Sequence, residues 1–242
     1  GIQFIPATCF QVKDCPTILC YPINRIAYSK ITKLLSIGKR RTNKGECEIF
    51  LNDIIQELNL QNSNDQVMII PIENIITQSF QSFVHTLTKL IRKNLYLSVS
   101  YEYSGFDQSK LEFGKKISKE TGVPLIATNN VHAHQHSRRP IQDILTCIRE
   151  NVTLNKAGYR LFANGERYLK SPQEMFRLFS NQPDMITRTI EVAQKCQFSL
   201  DELHYQYPIP NIKKETIPQN ELKRLTWLGA HKRFPDLIPN KI

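Results

Sequence analysis

The chain has 242 residues, of which 40% are hydrophobic and 22% charged, and it carries a formal net charge of +10. This composition excludes a disordered or fibrous chain, and no apolar run approaches the ~20 residues a membrane-spanning helix needs. With no charged, apolar, small-residue signal at the start, the reading is a soluble cytoplasmic protein without a membrane partner, and the positive charge fits either a polyanionic partner or a solubility surface.

In chain order, residues 1 to 12 predict a strand already under way at Ile2-Gln-Phe-Ile-Pro6, so further chain is expected upstream of Gly1. Thr17 to Tyr21 predict a second strand. Asn24 is placed to cap a helix whose Ile26, Ile31, Leu34, Leu35 and Ile37 recur at helical spacing, with Gly38 near its end. Lys39-Arg-Arg-Thr-Asn-Lys44 then reads as a basic loop. A short helix over 51–58, a polar loop over 61–65, a strand over 67–70, an amphipathic helix over 75–92 and a strand over 95–100 follow.

A helix over 108–120 ends at Gly122, a suitable C-terminal cap, and the apolar run Val123 to Ala127 reads as a buried parallel strand. Strands alternating with helices of this length predict a mostly parallel α/β sheet or barrel, because parallel neighbours need crossover connections. After the helix over 138–149 the rhythm changes. Residues 151–170 read as irregular, Ser171 has the spacing of a capping box with Pro172 at the first helical position, and Pro183 opens a helix reaching Cys196. Residues 205–218 hold three prolines and read as an extended linker before a last short helix over 221–233.

Chemistry concentrates just past Ala127. His132, His134 and His136 alternate with Ala133 and Gln135, so on extended backbone all three imidazoles face one way and could share a metal. Neutral imidazole suits zinc, manganese or iron without choosing among them. The competing reading is a polar loop of hydrogen-bonded or solvated histidines. No carboxylate lies inside the cluster; the nearest downstream is Asp143, so acidic partners would have to come from elsewhere. His85, His204 and His231 read as structural. Six scattered cysteines form no Cys-x-x-Cys pair and read mostly as small buried apolar residues. No glycine-rich dinucleotide motif, phosphate-binding loop, Gly-x-Ser-x-Gly or His-Glu-x-x-His is present.

Three segments carry a resemblance: Pro124-Leu-Ile-Ala-Thr-Asn-Asn-Val-His132, Arg138-Arg-Pro-Ile-Gln-Asp-Ile-Leu-Thr-Cys-Ile-Arg-Glu150 and Glu191-Val-Ala-Gln-Lys-Cys-Gln-Phe-Ser-Leu-Asp-Glu-Leu203. Together with Gly1 to Pro6 and Tyr28 to Arg41, they resemble bacterial DNA polymerase III alpha subunits, closest to the error-prone, damage-tolerant members. The resemblance implies an incomplete PHP-type (polymerase and histidinol phosphatase) distorted β/α barrel over 1–150, lacking its first strands, with a helical extension over 151–242 leading toward a polymerase core.

By that comparison the family's early His-x-His ligands lie upstream and its palm aspartates downstream. The family's Asp-x-His appears here as Asn130-Val-His132, and its strand-end glutamate falls at Cys9. The resemblance therefore implies a structural, non-catalytic portion of a polymerase, inactive alone, whose degenerate site of Cys9, His132, His134 and His136 retains at most one soft ion, zinc or manganese. The parent enzyme's partners would be DNA, its own core and other replication or repair subunits. Lys39, Arg40, Arg41, Arg138 and Arg139 are the candidates for a DNA-facing surface. Two rivals stand beside this reading: a metal-dependent phosphoesterase or nuclease built on the three histidines, and a free-standing nucleic-acid-binding module.

Overall fold

A computed structural model describes residues 2–61, 64–73, 77–91, 93–204 and 217–236. The chain divides into two compact units, Gly1–Glu202 and Leu203–Ile242. The first unit is built on five strands: β1 (Thr8–Phe10), β2 (Ile18–Pro22), β3 (Gln66–Pro71), β4 (Leu95–Ser100) and β5 (Leu125–Thr128). They form one sheet in sequence order. Among the described residues its helices are α1 (Arg25–Arg40), α2 (Leu51–Glu57), α3 (Gln78–Leu90), α4 (Asp107–Thr121), α5 (Arg139–Glu150), α6 (Leu154–Ala157), α7 (Pro172–Leu178) and α8 (Pro183–Lys195).

The sheet is mixed where the sequence predicts a mostly parallel one. β3, β4 and β5 run parallel, whereas β2 is antiparallel to both β1 and β3. The cause lies in the connections. Only seven residues, Gln11 to Thr17, join β1 to β2, too few for a crossover. Two helices join β2 to β3, and together they return the chain to the end of the sheet it left: the Ile23 N–H donates to the Asp65 carbonyl at 2.9 Å. Single helices, α3 and α4, carry the chain back along the sheet and give the parallel pairs. The described residues thus form a five-stranded mixed sheet in an α/β fold, and the closed barrel expected from the resemblance is not seen among them.

Local signals explain the helix ends. The Asn24 side chain accepts from the Ala27 N–H and Thr77 from Phe80, each filling a donor that the first turn leaves unpaired. Gly122 closes α4 in the left-handed region at φ 74°. Ser171 accepts from the Glu174 N–H with Pro172 at the first helical position of α7.

The two faces of the sheet bury different partners. Met68, Ile70, Leu97, Val99 and Leu125 pack with α1–α4 through Ile31, Leu34, Ile54, Val84, Leu87 and Ile117. Val67, Ile69, Tyr96 and Ile126 on the opposite face meet Val192 and Cys196 of the α8 region. Each large aliphatic side chain so buried contributes about 1.5–3 kcal/mol. Gly114 lets α4 approach closely, since a Cβ there would lie 2.7 Å from Ile72 Cδ1 and 3.2 Å from Leu125 Cδ2. α8 also covers the open edge of β5: Arg188 donates to the Leu125 carbonyl (3.0 Å) and Thr189 Oγ1 to that of Ala127 (3.2 Å).

The second unit contains α9 (Pro218–Arg233), which has no buried residue and exposes Leu222, Leu225, Trp227 and Leu228. Most of the proline-rich linker, residues 205–216, lies outside the described residues, as do parts of the loop over 61–65 and of the helix expected over 75–92. No helix among the described residues is long and apolar enough to cross a membrane.

Candidate functional site

The carboxyl ends of β3, β4 and β5 open onto a cavity of about 760 Å³. Its lining includes Cys9, Glu73, Glu102, Lys110, Asn130, Arg167 and Lys170, so the crevice rule for α/β sheets places the polar side chains where it should. The centre is Glu102, two residues beyond β4 and 7% exposed. Its Oε1 accepts from Ser100 Oγ at 2.7 Å and from Asn130 Nδ2 at 2.9 Å. Its Oε2 accepts from Arg167 Nη2 at 2.9 Å, with Lys110 Nζ at 3.9 Å.

Burial would raise the Glu102 carboxyl's pKa, but the hydrogen bonds from Asn130 and Ser100 and the charges of Arg167 and Lys110 together outweigh it and hold the group below the ordinary glutamate range. The carboxylate is ionised and accepts three hydrogen bonds. Lys110, 1% exposed, also lies 3.8 Å from Asp107 Oδ1. Asp107 in turn accepts from the Glu102 N–H at 3.1 Å and fixes the turn from β4 into α4.

Arg167 and Lys170 come from a strap that sequence reading left as irregular. Residues 164–170 run beside 129–133: the His132 N–H donates to the Arg167 carbonyl (2.8 Å), the Leu169 N–H to that of Ala133 (3.0 Å), and Ala133 bridges Tyr168 in parallel. Asn164 Nδ2 anchors the strap's start on the carbonyls of Glu102 (2.8 Å) and Tyr103 (3.0 Å). The Lys170 side chain is fully buried. Its ammonium meets the Glu166 carbonyl, Glu166 Oε2 (3.6 Å), Asn129 Oδ1 (3.3 Å) and the Tyr168 ring, 4.2 Å to the centroid. The Tyr168 hydroxyl donates to Glu174 at 2.8 Å, which pushes its pKa up to about 12.

The structure separates the expected metal ligands. Cys9 lines the large cavity, and burial pushes its thiol up, so it stays protonated at neutral pH. His132 lines a smaller neighbouring cleft with Phe162 and Asp143, and Arg167 lines both. Arg167 Nη1 lies 3.2 Å from His132 Nε2, and burial followed by the Arg167 charge lowers the imidazole's pKa. His136 opens a 3-10 turn (His136–Arg138), which ends the two-residue alternation; its Nδ1 lies 3.8 Å from Glu166 Oε1 and its ring stands edge-on to Tyr168. His134 is exposed. Among the described residues no three His, Cys, Asp or Glu side chains gather in an arrangement that could hold a metal ion.

The donor chemistry at the family's metal position does not fit a cation either. The Asn130 amide points a donor at Glu102, and a guanidinium occupies the space between Glu102 and His132. Arg167 and Lys110 neutralise the carboxylate here, as a divalent ion would elsewhere.

The basic candidates divide into two kinds. Arg41 forks onto Asp53 at 2.5 and 2.8 Å, and Arg139 reaches Asp143 (3.5 Å) and donates to the Phe162 carbonyl (3.0 Å). Lys39, Arg40 and Arg138 are exposed. Sequence reading missed Glu102, Lys110, Arg167 and Lys170. Two had a signal: Glu102 follows a parallel strand's end, and Lys110 interrupts the apolar stripe Leu111, Gly114, Ile117 of α4.

No family model matches the chain. Proteins named error-prone DNA polymerase do. That of Caulobacter vibrioides is 35% identical over 227 residues, covering 94% of this chain and 20% of its own length. That of Bradyrhizobium diazoefficiens is 38% identical over 233 residues, with 94% and 20% covered. Error-prone DNA polymerase 1 of Agrobacterium fabrum is 31% identical over 242 residues, covering all of this chain and 22% of its own length. The chain spans about a fifth of the length of the curated relatives it matches. At this identity over nearly all of its residues, the chain is homologous to a portion of the proteins named error-prone DNA polymerase.

Proposed function

We propose that this chain is a PHP-like portion of an error-prone DNA polymerase acting in the cytoplasm, and that its role is architectural while DNA-directed synthesis in replication and damage repair belongs to the larger enzyme. The observation that carries the reading is the internally paired carboxylate: Glu102 accepts from Ser100, Asn130 and Arg167, which takes three of its four lone-pair sites, and the ammonium of Lys110 stands 3.9 Å from the oxygen that holds the fourth. A site that positions water for phosphoester cleavage needs an open coordination position, and here the protein's own cations fill the space. On this reading the family's β/α barrel is represented by the five-stranded sheet with α1–α4, and the helices after residue 150 form its extension.

The DNA-facing surface belongs to the same proposal. Lys39, Arg40 and Arg138 offer exposed charge, whereas Arg41 and Arg139 are committed to Asp53 and Asp143. The test is a cleavage assay on phosphate monoesters and DNA 3′ ends with manganese or zinc, comparing the chain with its His132→Ala variant. Equal, background-level signals are expected. Metal-dependent turnover that His132→Ala abolishes would replace this proposal with the phosphoesterase reading.

A further inference from the structure

Beside the paired groups of the mouth, the cavity of about 760 Å³ remains open, within the size range of small-molecule sites. Its walls are mixed: Leu19, Pro71 and Met175 supply apolar surface, while Ser98 and Lys110 turn polar groups onto the same space. Lys110 is the informative one. It is 1% exposed, yet among the described residues its ammonium finds carboxylate oxygens only at 3.8 Å (Asp107) and 3.9 Å (Glu102), ion-pair distances too long for a hydrogen bond. Both carboxylates already accept from closer donors: Glu102 from Ser100, Asn130 and Arg167, and Asp107 from the Glu102 N–H (3.1 Å) and Ser104 Oγ (3.3 Å). An ammonium carries three N–H donors, and leaving buried donors unmet is costly. The acceptor that Lys110 lacks therefore has to enter from the cavity it lines.

Charge decides what kind of acceptor fits. Each cation at the mouth has a carboxylate of its own: Arg167 lies 2.9 Å from Glu102, Lys170 3.6 Å from Glu166 and Lys110 3.8 Å from Asp107. Glu73 lines the cavity as a further carboxylate. An anion entering here would meet a surplus of negative charge, whereas a neutral carbonyl oxygen accepts from the ammonium without that repulsion. The apolar surface of Leu19, Pro71 and Met175 suits a compact ring. We propose that the cavity binds an uncharged molecule with ring carbonyl oxygens, of the chemical class of thymidine, one carbonyl accepting from Lys110 and the ring lying against Leu19, Pro71 and Met175. Binding of this kind needs neither a metal nor phosphoester cleavage, so it stands or falls separately from the architectural role.

The test is titration calorimetry of the full chain with three probes: thymidine, deoxyadenosine, which has no ring carbonyl, and thymidine 5′-monophosphate, which adds negative charge. Thymidine is expected to bind at one site, and the other two at least about tenfold more weakly. Lys110→Met, which removes the donors and keeps the length of the side chain, should weaken thymidine binding by a similar factor. Cys9→Trp is the second variant, at an exposed position of β1 that lines the same cavity. It should keep the circular dichroism of the wild type and exclude thymidine by bulk, and it decides the matter should Lys110→Met fail to fold. No heat of binding with thymidine would mean that water alone fills the cavity and would overturn the proposal. So would equal affinity for deoxyadenosine, or an unchanged Kd in either folded variant. Tighter binding of the monophosphate would show an anion site and overturn the proposed ligand class.

Discussion

At the mouth of the sheet, Glu102, Lys110 and Lys170 are withdrawn from water, Arg167 is half-buried, and each is met by groups of opposite charge or by hydrogen-bond partners; on α5, four aliphatic side chains face outward over a polar inner side. The first region spends its polarity inward, where a low dielectric makes every pairing matter. The second leaves its apolar surface unburied and so adds little to the stability of this chain. The contrast separates side chains that hold the fold together from side chains that do not, and substitutions in the two regions should differ accordingly.

The largest effect is expected from Glu102→Ala, which leaves Arg167 without its carboxylate and Lys110 with Asp107 alone, and should cost about 3–5 kcal/mol in urea unfolding. A loss under about 1 kcal/mol would mean that the pairing is not what stabilises the mouth. Asn130→Asp is a finer probe. It exchanges an amide that donates to Glu102 for a second carboxylate in nearly the same shape, and Asp also tolerates the left-handed backbone at φ 42°. The expected cost is about 1–2 kcal/mol, from the lost donor and like-charge repulsion.

The pH dependence follows from the same group. Since the folded state holds Glu102 below its ordinary value of 4.5, its contribution is fully present above that value and is lost as the pH falls through the lower, folded one. Lowered His132 adds an acid-side loss beginning near its ordinary 6.5, because protonating it beside Arg167 disfavours the folded state. Thermal unfolding between pH 7 and pH 3 should therefore show falling stability, and Glu102→Gln should remove the part below pH 4.5.

Smaller changes are expected at the surface. Lys39→Ser with Arg40→Ser should leave stability unchanged and reduce the salt dependence of DNA binding by about one unit of slope for each phosphate contact removed. An unchanged slope would remove those two residues from the proposed DNA-facing surface. At the small end, Ile144→Ser with Ile148→Ser should alter unfolding free energy by no more than about 0.5 kcal/mol, the mark of side chains more than half exposed on the surface of this chain. A loss comparable to that of Glu102→Ala would erase the distinction between the two regions.

Much of the fold was legible because its signals are local. The apolar runs gave β3, β4 and β5; Asn24, Gly122 and Ser171 marked helix ends through groups they supply themselves. The strand directions were less legible, since they depend on whether one helix or two separate neighbouring strands and on how short the β1–β2 turn is. The histidine cluster showed the limit of periodicity: alternation holds only while the backbone stays extended, and the 3-10 turn at His136 ends it. The strap over 164–170 pairs with residues more than 30 positions earlier, and nothing local announces that Arg167 and Lys170 turn into the mouth.

The most direct test of the internally neutralised mouth is the metal content of the purified chain after dialysis against manganese or zinc and removal of the free ion. The account predicts far less than one ion per chain for wild type and for Glu102→Gln alike. One or more tightly bound ions per chain, lost in Glu102→Gln or His132→Ala, would contradict it.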